Sequence, residues 1–462
     1  MLTPKLQSLT HYKKLVQDSL GLKQSVINLV GSVIASGLSA VSLILLSRFL
    51  GPDHFGQFST AFALLLILVR LNDLGLSVAT SKLVPTANTP EERDSLLGQI
   101  FRLRIAYAGI IIVVGVIVTQ FLPKYLLASN PSLILLAFIL SGATALFEHA
   151  QFSLQALHNF KLSALINGAQ GFLKLVFILP FVLIIAQNNV SLEAMVVVIF
   201  IVYTLAPALP VILAKTIKPK LLPVHLKLDE SVNLSQLRLN IWKIAKHASL
   251  GIVCAGIIEN IDILFVQASL NDYEAGLLGG VSRIALLLYV LAYALGNVLN
   301  PRVAHYRDWL NMDKFWRKAW LIVGASVIGF VFSMFLAQPL ILYTIGREYL
   351  PAVGVLRIMF GAGFLTIAVI PFIAMFYAFD LPWYFSVTGV LQLLIVLLGN
   401  GLLVPRYGIE ASAWTRVASR AVLLVFTICL ARREFQKLVN NTEKPAQKAE
   451  IESQHTQERT KQ

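Results

Sequence analysis

Inside its long apolar runs the sequence keeps a sparse set of ionisable side chains: Arg70 and Asp73, Glu148 and His149, Lys174, Glu259 and Asp262, Arg283, Arg357, and Arg416 with Arg420. A charge held at the centre of a bilayer costs at least roughly 2.5–3.5 kcal/mol on insertion scales, so such groups persist where they face a cavity or a partner. Buried lysine and arginine suit an anionic cargo, whereas paired carboxylates suit a coupling cation or proton.

Lys174 lies about 20 Å along its helix from Lys161 at 1.5 Å per residue, near mid-membrane and too deep to snorkel easily. It is either a cavity cation for an anionic cargo or half of an ion pair with a carboxylate on a neighbouring helix. Asp262 and Arg283 sit on consecutive helices, each roughly 12 Å from their shared turn, so they are expected to pair. Glu259 is one turn deeper on the face of Asp262, and the two carboxylates form the alternative reading, an ion-coupling site. Arg70 and Asp73, three residues apart with Asn72 between them, are expected to satisfy each other. Otherwise Arg70 faces the cavity and Asp73 joins the coupling groups. Arg416 and Arg420, one turn apart, line the cavity or snorkel to the membrane surface. The substrate cavity is thus expected to draw on Lys174, Arg283, Arg70, Arg416 and Arg420, and ion coupling on Glu259, Asp262 and Asp73.

No metal site is expected, since no second His or Cys follows Glu148-His149 at ligand spacing. No P-loop, GxSxG, HExxH or GxGxxG motif occurs in a usable context, which argues against an ATPase, hydrolase or dehydrogenase. The chain reads as a non-enzyme without a cofactor, driven by gradients or by removal of product.

The elements that must hold these charges are membrane helices. Of 462 residues 57% are hydrophobic and 13% charged, with a mean hydropathy of +0.74, outside the range of soluble domains. The net charge of +14 then points to basic loops and anionic lipid; with no basic-aromatic pattern, a nucleic-acid partner is not expected. Cys254 and Cys429 both fall in apolar runs and read as small core residues.

Scanning for apolar stretches of about 20 residues gives about twelve spans: 24–50, 55–84, 96–122, 131–157, 160–186, 191–214, 242–270, 275–300, 317–338, 351–379, 382–403 and 408–431. The expected fold is an all-α membrane protein, two six-helix bundles (24–214 and 242–431) around a central cavity. A basic linker (215–241) joins them, a cytoplasmic amphipathic segment (1–23) precedes them without a cleaved signal peptide, and a disordered tail (432–462) follows. Lys and Arg, Arg104 among them, collect on the side of both termini, which the positive-inside rule makes cytoplasmic. An offset of 220 positions aligns Gly31 with Gly251, Ala35 with Ala255 and the turn 51–56 with 271–276, as expected of parallel repeats flanking a central site.

The stretch Leu46-Ser-Arg-Phe-Leu-Gly51-Pro-Asp-His-Phe-Gly56-Gln-Phe, followed by Asn72-Asp73-Leu74-Gly75-Leu76, resembles the opening hairpin of bacterial polysaccharide biosynthesis exporters. Gly346-Arg-Glu-Tyr349 with Leu356-Arg357, and Tyr407-Gly408-Ile409-Glu-Ala411-Ser-Ala413, fit the same family. These are the oligosaccharide flippases of the multidrug/oligosaccharidyl-lipid/polysaccharide exporter superfamily. The resemblance implies alternating access in the inner membrane. It also implies a cargo of undecaprenyl-pyrophosphate-linked oligosaccharide moved outward for O-antigen, capsule or exopolysaccharide synthesis. Implied partners are membrane lipids, a polysaccharide polymerase and a chain-length regulator. The competing readings are a cation-coupled multidrug exporter, which would want a more acidic cavity, and a membrane polymerase or glycosyltransferase, which would want a large external loop. Asn271 stands where the first turn has Gly51, and the second turn lacks the proline, so site positions do not transfer between halves.

Overall fold

The computed structural model describes residues 4–121, 130–186, 192–217, 234–303, 306, 309–379, 381 and 383–459, with side chains within 30–437. Among the described residues every regular element is helical: α1 (Pro4–Asp73), α2 (Leu76–Leu83), α3 (Pro90–Phe121), α4 (Pro131–Ala156), α5 (Phe160–Ala186), α6 (Leu192–Leu205), α7 (Ala208–Ile217), α8 (Leu234–Ser269), α9 (Asp272–Val303), α10 (Trp309–Thr344), α11 (Val353–Ala378), α12 (Trp383–Tyr407) and α13 (Ile409–Arg459). Ten are long and apolar enough to cross a membrane, or eleven if α6 and α7, bent by 41°, count as one span. Their outward faces are apolar too: Ile110, Val113 and Ile117 on α3, and Leu321, Ile328, Phe332 and Phe335 on α10, are exposed. Surfaces of that kind need lipid rather than water around them. Cys429 belongs with them. Expected as a core residue, it is exposed on α13 while Cys254 is buried, because in lipid an apolar helix face need not turn inward.

Gly51 (φ 68°, ψ 171°) breaks α1, with Pro52 starting the second arm. In a straight helix Ser36 and Leu66 would lie about 45 Å apart, yet both line one cavity, so the chain doubles back at Gly51. Beyond the turn, Phe55, Phe58 and Phe62 pack in series, and Phe200 and Tyr203 of α6 meet Phe58 edge-on. This stack is the core of the first half. The core of the second half gathers residues of α8 to α13, and Ala63 of α1 reaches into it.

The halves meet most closely at the two turns. A Cβ on Gly56 would strike the Asp272 carbonyl and the Gly276 nitrogen, and a Cβ on Gly276 would strike the Pro52 carbonyl and the Gly56 nitrogen. Each contact becomes the other under the offset of 220 positions read from the sequence, so the contact is reciprocal, as between subunits of a two-fold dimer.

Two seams run from this point. Along one, the second arm of α1 and then α2 follow α8: Gly256 lies on the aliphatic stem of Arg70, and Gly75 (φ 83°) on the backbone of Ala245. Only glycine permits such approaches. Along the other, the first arm of α1 and α9 part over a groove of about 170 Å³ lined by Ser32, Val33, Ser36, Leu286, Tyr289, Val290 and Tyr293. Under the same offset Ser36 corresponds to Gly256 and Val290 to Arg70, so the open seam is the counterpart of the closed one.

Three expectations meet a different outcome or no described residues. The backbone of 4–23 is helical and continuous with α1, and its side chains lie outside the described residues. The segment expected to be a disordered tail from 432 continues α13 to Arg459. Its Glu, Lys, Gln and Ala content favours helix, and Glu434 and Lys437 pair three residues apart. Of the basic linker, residues 218–233 lie outside the described residues, and 234–241 open α8.

Candidate functional site

Between the halves lies a cavity of about 570 Å³, within the roughly 300–1,000 Å³ usual for ligand clefts. Its walls differ in chemistry. The second half contributes Arg283, Tyr289, Arg416, Arg420 and Glu259, and the first half contributes Lys174 with a set of uncharged amides and serines.

Lys174 is on α5, one turn beyond Gln170, and its ammonium lies 4.7 Å from the centre of the Tyr203 ring. No carboxylate lies within ion-pair distance of it among the described residues. Lys174 thus lines the cavity and rests on an aromatic face. Arg283 projects from α9 toward the first half, its guanidinium 5.6 Å from the centre of Phe62. Its Nε and one terminal nitrogen have no hydrogen-bond partner among the described residues. Arg420 donates to Gln392 Oε1 at 2.7 Å and lies over Tyr289. Both arginines therefore keep donors for a ligand.

The expected pair of Asp262 with Arg283 is not formed. Asp262 is instead ion-paired with Arg416 of α13, which also donates to the Glu259 carbonyl at 3.2 Å. Depth along a helix fixes the level of a side chain but not the face it leaves from, and Asp262 leaves toward α13 while Arg283 leaves toward Phe62. With Asp262 occupied, Glu259 is the one acidic side chain among those lining the cavity. Among the described residues that line the cavity, no second carboxylate stands beside it.

Arg70 and Asp73 do not satisfy each other either. Arg70 reaches Glu148 of α4 at 3.2 Å. Asp73 is paired with Arg104 of α3, both almost fully enclosed, and accepts hydrogen bonds from the Ser77 backbone at 3.0 Å and hydroxyl at 2.7 Å. Leu74 and Gly75 take positive φ and end α1, which turns Asp73 into a cap for α2 rather than a mid-helix charge. Asn72 donates to the Arg104 carbonyl and Arg104 to the Ala145 carbonyl, both at 3.2 Å. Neither Arg70 nor Asp73 lines the cavity. Arg104, counted from sequence among the surface charges, is the largest fully buried side chain. Arg357 donates to the Met334 carbonyl, outside the cavity. His149 packs at a tilt against Phe101, and among the described residues no three His, Cys, Asp or Glu side chains gather as a metal site.

Sequence reasoning missed the amides. Gln151, Gln155, Asn167 and Gln170 line the first-half wall. Their signal was present as polar residues at helical spacing, 151 and 155 on α4, and 163, 167, 170 and 174 on α5.

Long apolar helices arranged as two halves about a cation-lined cavity define a multi-pass membrane protein. Solved structures with this fold include an inward-facing multidrug resistance MATE family transporter of the MOP superfamily, at a TM-score of 0.69 and 14% identity over 90% of this chain and 99% of that one. The lipid II flippase MurJ in an inward closed conformation gives 0.67 and 13%, covering 90% of each chain. An outward-facing MATE family transporter gives 0.57 and 13%, covering 89% and 96%. No curated protein sequence matches. The chain belongs to the polysaccharide biosynthesis protein family, whose model matches residues 22–306.

Proposed function

We propose that this protein is a flippase for an undecaprenyl-pyrophosphate-linked oligosaccharide, carrying it by alternating access from the cytoplasmic to the outer leaflet of the inner membrane. The observation that carries the reading is the charge of the cavity, where Lys174, Arg283 and Arg420 face a single carboxylate, Glu259, and Arg416 is already neutralised by Asp262. In a low-dielectric cavity such cations attract a pyrophosphate far more strongly than at a wet surface. Family membership supports a role in making O-antigen, capsule or exopolysaccharide, and the shared fold with a lipid II flippase supports a lipid-linked cargo. The groove between α1 and α9 offers the prenyl chain an apolar path to the membrane while the headgroup occupies the cavity. A cation-coupled multidrug exporter is favoured less, because Asp262 is engaged by Arg416.

The reading includes twelve crossings, with α1 counted as two and α6–α7 as one. It divides them between 24–214 and 242–431 and places both termini in the cytoplasm, where a polymerase and chain-length regulator would not meet them. Those partners would receive the cargo at the opposite face. Reporter fusions after Lys227 and Asp313 then read cytoplasmic, and fusions after Asn189 and Asp272 periplasmic. The decisive experiment is deletion of the gene followed by mass spectrometry of extracted lipids. Accumulation of undecaprenyl-pyrophosphate oligosaccharide supports the proposal, and an unchanged lipid profile refutes it.

A further inference from the structure

The two walls of the cavity differ in kind as well as in charge. On the first half, Gln151 and Gln155 of α4 face Asn167 and Gln170 of α5, and all four line the cavity. They are tied to one another: the Gln151 amide nitrogen donates to Asn167 Oδ1 and, at 3.5 Å, to Gln170 Oε1, while Gln155 donates to the Ser163 hydroxyl at 3.3 Å. These bonds fix the wall and leave capacity unused. The side-chain nitrogens of Asn167 and Gln170 and the oxygens of Gln151 and Gln155 have no hydrogen-bond partner among the described residues. On the charged wall Asn260 stands alone, donating to the Gly256 carbonyl, and Gln392, which does not line the cavity, is held by the Thr388 carbonyl and Arg420.

A primary amide offers two donors and a carbonyl acceptor at once, and a sugar hydroxyl is likewise both donor and acceptor. A stripe of such amides, without a charge among them, matches a neutral polyhydroxylated ring and has nothing to offer a phosphate beyond what the cations already supply. The stripe also stands at a useful level. Asn167 and Gln170 lie about 10 and 6 Å from Lys174 along α5 at 1.5 Å per residue, so a ring joined directly to a phosphate held near Lys174 comes level with them.

We propose that Gln151, Gln155, Asn167 and Gln170 form a sugar subsite, which holds the uncharged rings next to the pyrophosphate while the cations hold the pyrophosphate itself. This rests on the flippase reading and adds to it which wall reads which part of the cargo.

The test compares two probes on the full-length protein in lipid nanodiscs: undecaprenyl pyrophosphate, and the same lipid bearing a neutral disaccharide. Wild type is expected to bind the disaccharide lipid about tenfold more tightly than the bare one. Gln151→Leu with Gln170→Leu should erase that advantage and leave bare-lipid affinity within about twofold, as loss of one or two net hydrogen bonds predicts. Should the double variant fail to fold, Gln170→Ala, which keeps the Gln151–Asn167 bond, is expected to lose about threefold on the disaccharide lipid alone. The subsite is overturned if wild type binds both lipids equally, if the folded variant keeps the disaccharide advantage, or if it loses both lipids in parallel. In each of those cases the flippase reading stands, since wild type still binds the pyrophosphate lipid. Binding of neither lipid by wild type would refute both.

Discussion

Along the closed seam Gly256 lies against the stem of Arg70, and beyond it Gly75 lies against the backbone of Ala245; along the open seam the corresponding stretch of α1 and α9 is a groove between Ser36 and Val290. The two seams are built by equivalent helices, so the difference comes from side chains. The closed seam has glycine where the groove has serine. Its polar groups are also turned inward, Arg70 to Glu148 and Asp73 to Arg104, where the groove has Val290 and Tyr293. A repeat can therefore keep its backbone plan and still leave one flank sealed and the other accessible to lipid.

The largest expected effect is on the charge network behind the closed seam. Arg104→Leu strands the enclosed Asp73 carboxylate and should cost about 3–5 kcal/mol of stability, with Asp73→Leu added in the same chain restoring much of it. Arg416→Leu should cost less, because its pair with Asp262 borders the cavity and Arg416 keeps 14% of its side-chain surface. Thermal unfolding in detergent ranks the two, and equal losses would remove the distinction between a structural pair and one at the cavity wall.

Next in size is a substitution aimed at the seams themselves. Gly256→Leu must displace the Arg70 stem and is expected to destabilise by about 1–3 kcal/mol, whereas Ser36→Leu enters open space and should stay within about 0.5 kcal/mol. The same Ser36→Leu should slow transport by filling the groove. If both variants unfold alike, the seams are not different in packing. If Ser36→Leu transports at the wild-type rate, the groove is not a path for the lipid.

The smallest structural effect is expected at Lys174, which touches Tyr203 and, among the described residues, pairs with no carboxylate. Lys174→Ala should insert and melt within about 0.5 kcal/mol of wild type yet accumulate lipid-linked oligosaccharide in cells, and Lys174→Arg should retain part of the flux. Normal transport by Lys174→Ala at wild-type expression would take the cation wall out of the mechanism.

Much of this architecture was legible in the sequence. Helical spans follow from apolar length and the turn at Gly51 from glycine followed by proline. The reciprocal approach of the two turns follows the same offset that aligned Gly56 with Gly276. What could not be read was direction around each helix axis. Asp262 and Arg283 count to similar distances from their shared turn, but α13, remote in sequence, brings Arg416 to Asp262 first. Arg104 was counted with the charges of the cytoplasmic side because it falls in the first half of its apolar run, and only the packing of α3 against α1 and α4 encloses it. The amide wall was overlooked because glutamine and asparagine at membrane depth cost less than charges and so stand out less, although their spacing of three and four along α5 was there to be seen.

Where Gly56 and Gly276 meet, backbone rests on backbone with no side chains to interlock, which makes the contact a fulcrum. From Gly276 to Tyr293 is about 26 Å of helix at 1.5 Å per residue, so a tilt of about 10° at the fulcrum swings Tyr293 through about 4–5 Å. On the flippase reading proposed above, a lever of that length would turn a small rolling motion at one face of the membrane into passage for a hydrocarbon chain at the other, and a bulkier residue at either glycine would jam it at the end where the least movement is needed.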